Sequence, residues 1–181
     1  MNREAAVAVI RRISPLSGAD PAYLILRRAV NPLDPWSGHY AFPGGRRDPA
    51  DPTLLAACLR ETREECGLQL PASALVRALP VTEAGNVFGH AIRVTPYLFE
   101  VTRLPEIILD PRECASFHWI STAHLRAPHH HTRITPLPGS DRSFPAIRLD
   151  DGYIWGFTYK VLAGLLDLPQ GLETANSTRE D

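Results

Sequence analysis

The sequence lacks any apolar run approaching the roughly 20 residues that a helix needs to cross a bilayer. Its first apolar run, Ala5–Ile10, follows Glu4 and is too short and wrongly flanked for a signal peptide. A strong charge excess is also missing, since 19 basic and 20 acidic residues leave a net charge of -1. Such a balance gives no general attraction to nucleic acid or anionic membranes. We therefore expect a cytoplasmic protein with neither nucleic acid nor a membrane as a partner.

Cysteine is scarce as well, because the chain has only three: Cys58, Cys66 and Cys114. They cannot all pair with one another, and two of them lie on the apolar side of a predicted helix. We expect buried thiols in a reducing compartment rather than disulfides. No thiol has an evident histidine partner close in sequence, so a cysteine nucleophile is not favoured.

The 181 residues contain no internal repeat, and their length and 44% hydrophobic content suit a single domain with its own core. We predict this domain at residues 1–168, followed by a polar, flexible tail at 169–181. Strands are predicted at Ala5–Arg12, Tyr23–Arg28, His39–Phe42, Leu79–Val81, His90–Val101, Ser116–Ile120 and Ser143–Leu149. Helices are predicted from Asp51 to Gly67, over one turn from Ser121 to Leu125, and at Tyr153–Leu166, with an irregular segment at Ala127–Arg142. This order predicts an α/β fold with a mixed sheet between helical layers.

The most informative predicted element is the helix that begins at an Asp51 N-cap and ends at Gly67. Its residues Glu61, Glu64 and Glu65 are three and four positions apart, so they are neighbours on one helix face. Like charges at this spacing cost about 0.2–0.5 kcal/mol per pair, and acidic groups in the last turn oppose the helix dipole. The three glutamates therefore contradict local preference.

Two interpretations of this acidic face are open. It is either a solvated surface balanced by Arg60 and Arg63, as is usual for charged helix faces, or a site for a divalent cation. A cation would convert the mutual repulsion of the carboxylates into coordination.

The segment from Gly45 to Leu68 resembles the Nudix box, which decides between these interpretations. Its second half is Arg60-Glu61-Thr62-Arg63-Glu64-Glu65-Cys66-Gly67-Leu68. The segment departs from the box in having Asp51 where the family usually has Glu, Thr62 in place of an aliphatic residue, and one extra residue before Arg60. The resemblance implies the Nudix fold, an α/β/α sandwich with a central mixed sheet.

The resemblance also implies a reaction and the residues that perform it. Nudix hydrolases cleave the diphosphate of a nucleoside diphosphate linked to another group, with Mg²⁺ or Mn²⁺ as cofactor. By this resemblance Glu61 and Glu65 are the principal metal ligands, and Glu64 is a further ligand and a candidate base. Arg60 would orient Glu64, and the backbone at Gly45 would help to hold the cation.

Further candidates lie outside the box. Many family members use an additional acid from elsewhere in the chain, and Glu113 is the leading candidate here, with Glu83 second. Arg46 and Arg47, next to the box, and Arg28, at the end of the second predicted strand, are assigned to an anionic phosphate chain. Solvated surface arginines are an equally good interpretation.

Features beyond the box bear on the substrate. The lengthened spacer and three other stretches resemble coenzyme A diphosphatases: Val94-Thr95-Pro96, Glu113 ahead of Trp119-Ile120, and Ile154-Trp155-Gly156-Phe157-Thr158. This implies hydrolysis of coenzyme A or a derivative to 3′,5′-ADP and 4′-phosphopantetheine. Those enzymes carry a further signature before the FPGG turn, and in the segment Asp34–Tyr40 only Gly38 fits it.

Other functions remain open. The same glutamates would serve a Nudix hydrolase of ADP-ribose, dinucleotides or dinucleoside polyphosphates, and a non-catalytic Nudix-fold binding module is the alternative of another class. In each case the expected partner is a small nucleotide-derived molecule. Family members are often dimers, so a homodimer is compatible with the resemblance.

Two aromatic features have uncertain roles. Trp36, in the loop before the FPGG turn, either packs on the core or is a platform for a base or acyl group, and packing is favoured. The consecutive residues His129–His131 point in different directions, which argues against a metal site, and a mobile, substrate-facing loop is only somewhat better supported.

Overall fold

The computed structural model describes residues 4–14, 18–32, 34, 36–85, 91–103, 106–136 and 141–168. The tail predicted at 169–181 lies outside these residues, as does the predicted first residue of the strand at His90.

A mixed sheet of eight strands forms the centre of the described structure. Its strands are β1 (Glu4–Arg12), β2 (Ala22–Arg28), β3 (Tyr40–Ala41), β4 (Gly44–Arg46), β5 (Leu75–Ala78), β6 (Thr82–Ala84), β7 (Ile92–Val101) and β8 (Cys114–Ser121). The central pair, β1 and β7, is parallel, and all other pairings are antiparallel. β4 joins β1, β5 and β6 join β7, and β3 and β8 join β2.

Helices and a second, smaller sheet surround this centre. The helices are α1 (Leu54–Cys66), α2 (Thr122–Arg126) and α3 (Gly156–Leu166), with 3₁₀ turns at Ala72–Ala74 and Pro128–His130. The second sheet contains β9 (His131–Ile134), β10 (Phe144–Leu149) and β11 (Gly152–Trp155), with β10 in the middle. No described helix is long and apolar enough to cross a membrane.

Alternating side chains of β1 divide the core into two layers. Ala6, Ala8 and Ile10 belong to the cluster that contains Cys58 and Cys66 of α1. The residues between them face the opposite cluster, which includes the buried side chains of α3. This period-2 pattern places one helix on each face of the sheet. The predicted α/β/α sandwich with a central mixed sheet is confirmed.

The ends of α1 agree only partly with prediction. Gly67 ends the helix in the left-handed conformation, at φ 70°, as expected. The N-cap is Thr53, whose hydroxyl accepts a hydrogen bond from the Ala56 amide at 3.0 Å, so the Asp51 N-cap prediction is wrong. Asp51 lies two residues earlier and accepts a hydrogen bond from the Asp48 amide instead. Its carboxylate is therefore used to close the preceding loop and is available to α1 side chains.

Three other element predictions are wrong. The predicted strand Leu79–Val81 is the link between β5 and β6, and Pro80 within it has no N–H for a sheet hydrogen bond. The segment predicted to be irregular contains β9, which pairs with β10. The helix predicted from Tyr153 begins only at Gly156, because the preceding residues form β11. Gly156 has a φ of 63°, which separates strand from helix.

We predict that Gly44→Ala destabilises the protein by about 1–3 kcal/mol or more, because φ at Gly44 is 140° and a Cβ would lie 2.6 Å from the Val7 Cα. Gly164→Ala is the control, since a Cβ there meets no atom within 4 Å and alanine favours helix interiors. Urea unfolding should show a loss of stability for the first variant and a gain of about 0.5–1 kcal/mol for the second. Equal midpoints for Gly44→Ala and the parent would contradict the packing of β4 on β1.

Candidate functional site

The turn from β3 into β4 brings two glycines against the acidic face of α1. The Gly44 amide donates a hydrogen bond to Oε2 of Glu65 at 2.8 Å. At Gly45, an added Cβ would lie 2.6–2.9 Å from the carboxyl atoms of Glu61. Only a residue without a side chain allows the Glu61 carboxylate to approach the β4 backbone this closely. The backbone of the FPGG turn therefore contacts two carboxylates of the helix.

Burial makes these two carboxylates unusually basic. Glu65 is only 4% exposed, and burial raises its pKa to about 8, with the charges of Glu61 and Glu113 acting in the same direction. The Gly44 hydrogen bond and Arg28 oppose this shift but do not cancel it. Burial also raises the pKa of Glu61, against the effect of its ion pair with Arg60. Carboxylates that are both desolvated and mutually repelled are suited to binding a cation.

Arg60 links the carboxylates on the outer side of α1. Its guanidinium lies 2.9 Å from Oδ2 of Asp51, 2.9 Å from Oε1 of Glu61 and 2.8 Å from Oε2 of Glu64. It also donates to the Arg46 carbonyl oxygen at 3.2 Å. Asp51 is buried, whereas the side chain of Glu64 is 49% exposed. Arg60 therefore fixes the orientation of three acids from the loop and the helix.

A cavity of about 390 Å³ lies beside the glycine turn. Its walls contain seven residues singled out from the sequence: Arg28, Gly45, Arg46, Glu61, Glu65, Glu83 and Glu113. The two acids from outside the box thus share one cavity with Glu61 and Glu65 of α1. Glu113 is exposed at the start of β8, where its carbonyl oxygen accepts a hydrogen bond from the Ala29 amide beyond the end of β2.

Three other predicted site residues do not line this cavity: Arg47, Arg60 and Glu64. Arg60 and Glu64 contact each other on the outer side of the helix. Arg47 donates hydrogen bonds to the carbonyl oxygens of Asp51 and Pro52 at 3.1–3.2 Å. Its guanidinium therefore holds the loop before α1 in place, and the contact of Arg47 with substrate stays a prediction.

Arg28 connects the cavity to the loop that precedes the glycine turn. Its guanidinium donates to Oδ2 of Asp34 at 2.7 and 3.2 Å, and the Trp36 amide donates to the other oxygen of the same carboxylate. Burial opposes the charge of Arg28, but the Asp34 hydrogen bond and charge outweigh it and raise the Arg28 pKa. This interaction holds the loop over the cavity, and Trp36 and His39 of the loop line its wall.

A group of aromatic residues in the cavity wall was not predicted from sequence. It contains Trp36, His39, Phe144, Trp155 and Phe157. His39 and Trp155 contact edge to face, with ring centroids 4.9 Å apart. The stretch Ile154–Thr158 had been singled out only by its resemblance to coenzyme A diphosphatases, and this placement gives that stretch a position at the site.

The histidine tract lies elsewhere in the structure. His131 is buried, and its Nε2 is 2.8 Å from the Leu125 carbonyl oxygen. His130 stacks on His124, with ring centroids 3.7 Å apart. None of residues 129–131 lines the cavity, and these residues form a 3₁₀ turn and the start of β9.

The donor set fits a hard cation that keeps part of its hydration. Among the described residues, no three His, Cys, Asp or Glu side chains form a complete metal-binding group. Mg²⁺ typically uses only one or two carboxylates, together with waters and substrate phosphates. Glu61 and Glu65 supply such oxygens one helical turn apart, and the absence of a side chain at Gly45 leaves the space for them.

Comparisons with known proteins agree with the geometry. The model of the NUDIX domain family matches residues 1–138. An uncharacterized protein of Schizosaccharomyces pombe is 31% identical over 118 residues, which are 63% of this chain and only 36% of that relative's length. NudL of Salmonella newport, an uncharacterized Nudix hydrolase, is 28% identical over 166 residues, 90% of this chain and 81% of its own. A MutT/nudix family protein from Enterococcus faecalis shares the fold, with a TM-score of 0.63 and 15% identity over 90% of this chain and 60% of that one.

We predict that Arg60→Ala lowers the thermal midpoint by several degrees, because it leaves the buried Asp51 without its cation and Glu61 beside Glu64 without a shared partner. Arg112→Ala is the matched control. The Arg112 side chain is 86% exposed and pairs with Asp110, and exposed pairs of this kind contribute little. Calorimetry that gives both variants the same small change would show that Arg60 does not organise the acidic helix.

Proposed function

The chain belongs to the Nudix domain family, and on that premise we propose that it hydrolyses the diphosphate linkage of a nucleoside diphosphate derivative, with a divalent cation as cofactor. The observation that carries the proposal is the pair of desolvated carboxylates, Glu61 and Glu65, against the glycine turn of a cavity large enough for a small ligand. The intact cluster argues against a purely binding module, since its repulsion has little use without a cation.

Glu61 and Glu65 would hold the cation, with Glu64 as a further ligand, directly or through water. When bound, Mg²⁺ or Mn²⁺ neutralises phosphate charge and lowers the pKa of a bound water. Both glutamates must be ionised to serve as ligands. Their raised pKa values reflect burial, and a cation stabilises the charged form that burial disfavours.

The chain's own residues then have distinct tasks in the displacement at phosphorus. A water oxygen forms the new P–O bond, the bridging P–O bond breaks, and the water proton passes to a carboxylate. Glu113 lines the cavity and Glu64 does not, which favours Glu113 as the base. Arg46, on the strand beside the glutamates, would bind the phosphate chain, and Arg28 stabilises the charged form of Glu65.

For the substrate we propose coenzyme A or a derivative. The resemblance of several stretches to coenzyme A diphosphatases supports this, and one of them, Ile154–Thr158, contributes cavity-lining residues. The loop segment Asp34–Tyr40, which departs from the signature of those enzymes, contributes Trp36 and His39 to the same wall. An aromatic wall of this kind can hold either a base or an acyl arm.

We predict that the purified protein with Mg²⁺ or Mn²⁺ converts coenzyme A to 3′,5′-ADP and 4′-phosphopantetheine, identified by mass spectrometry. ADP-ribose, NADH and a dinucleoside polyphosphate are tested in parallel, and a chelator is the control for the cation. Hydrolysis of one of these other compounds, but not of coenzyme A, would contradict coenzyme A as the substrate and still support a hydrolase. Hydrolysis of none of the four compounds would count against the proposal that the protein is a hydrolase.

We predict that Glu65→Gln, Glu64→Gln and Glu113→Gln each lower kcat by about two orders of magnitude or more with the fold retained, given the usual size of metal-ligand and general-base effects. Electron paramagnetic resonance of Mn²⁺ separates the roles. The affinity for Mn²⁺ should fall in Glu65→Gln and Glu64→Gln, which remove proposed metal ligands. It should be unchanged in Glu113→Gln, because Glu113 is proposed as the base and does not bind the cation.

Glu106→Gln is the control, since Glu106 is exposed and does not line the cavity. A folded Glu65→Gln variant with near-parental kcat would refute the metal site. A fully active Glu113→Gln variant, beside an inactive Glu64→Gln variant that still binds Mn²⁺, would transfer the base role to Glu64.

A further inference from the structure

Lys160 is the one lysine among the 19 basic residues of the chain. It lies on α3, is exposed, and lines the cavity that contains the glutamates. Its ammonium group makes no hydrogen bond or ion pair with any residue that the structure describes. A cationic side chain that lines a cavity and has no partner among the described residues is available to a ligand.

The position of Lys160 is set by the start of α3. Thr158, buried on the same helix, donates its hydroxyl to the Tyr40 carbonyl oxygen at 3.1 Å, which ties the first turn of α3 to β3. Trp155 and Phe157 precede it and belong to the aromatic wall. Lys160 is therefore held on the aromatic side of the cavity by a helix that is anchored to the sheet.

The other two cationic side chains of the cavity, Arg46 and Arg28, are associated with the glutamates. Arg46 is on β4, immediately after the glycine against which Glu61 lies. Arg28 is bound to Asp34 and interacts with the Glu65 charge. The phosphates that undergo hydrolysis belong at the glutamates, so the charge of Lys160 is left for a second anionic group.

We propose that Lys160 binds a phosphate monoester on the nucleoside part of the substrate, separate from the diphosphate. This inference rests on the proposed function, because it takes the diphosphate to lie at Glu61 and Glu65. A nucleotide that is phosphorylated on its ribose, as in the 3′,5′-ADP half of coenzyme A, carries such a group. Lysine binds phosphate as a compact point charge with three donors.

Binding of two small nucleotides tests the proposal without turnover. Isothermal titration calorimetry with 3′,5′-ADP and 5′-AMP should show that the parent protein binds 3′,5′-ADP about tenfold more tightly, as expected for one charge-assisted contact. Lys160→Gln should abolish this preference and leave 5′-AMP binding unchanged, and Lys160→Arg should keep most of it. Arg77→Gln, an exposed change on β5 outside the cavity, is the matched control for lost charge.

Three results would overturn the inference. The parent protein could bind both nucleotides equally, Lys160→Gln could keep the preference, or Lys160→Gln could weaken both nucleotides alike. Each of these results would show that Lys160 does not bind the additional phosphate, whichever substrate the protein hydrolyses.

Turnover distinguishes this inference from the proposed function. Coenzyme A and 3′-dephospho-coenzyme A differ only in the phosphate at issue. Lys160→Gln should raise KM about tenfold for coenzyme A alone, with kcat unchanged. If both compounds are hydrolysed and Lys160→Gln changes neither KM, the role of Lys160 is refuted and the proposed hydrolase function is retained. A nucleotide preference that depends on Lys160, without hydrolysis of any substrate, would support the site and refute the hydrolase.

The single lysine also permits a direct readout. Reductive methylation with ¹³C-formaldehyde keeps the positive charge, and it labels only one side chain besides the chain terminus. We expect the Lys160 methyl resonance to shift on addition of 3′,5′-ADP but not of 5′-AMP. A resonance that responds to neither nucleotide, or equally to both, would contradict the contact.

Discussion

The contact between two carboxylates of α1 and the bare backbone of the glycine turn is the constraint on which the site depends. Glu65 accepts the Gly44 amide, and Glu61 occupies the space that a side chain at position 45 would fill. Both acids lose water in this arrangement, and Arg60 with Arg28 supplies the charge that makes the loss tolerable. The loop before α1 contributes to the same arrangement, because it brings Asp51 to within 2.9 Å of Arg60.

The acidic cluster on α1 could be predicted from the sequence because it consists of residues that are close along the chain. Glu61, Glu64 and Glu65 are neighbours on any helix, and Gly67 ends that helix as predicted. Helical spacing could not show that Glu64 faces outward, since the direction of the glycine turn decides which side of the acidic face is covered. Nor could it assign Arg47, whose partners are backbone carbonyls that only the folded loop presents.

The aromatic wall and several element boundaries escaped prediction because they depend on distant contacts. Ile154 fits helical spacing with the residues that follow, but it lies in β11 and pairs with Ile147 of β10, and the positive φ of Gly156 delays the start of α3. Strand β9 is recognisable only through its partner β10. Thr53 replaced Asp51 as the cap because Arg60, nine residues later, and the Asp48 amide occupy the Asp51 carboxylate. In each case tertiary pairing overrode a local signal.

The parallel pairing of β1 with β7 has a consequence for how the molecule forms. Arg11 and Glu100, a pair between these strands, are separated by 89 residues of chain. A ribosome therefore releases β1, whose residues Ala6–Ile10 become fully or almost fully buried, long before its central neighbour exists. Non-local pairing of this kind slows folding and exposes an apolar strand edge in the interval. Most of the chain must be synthesised before the sheet that supports the site can close.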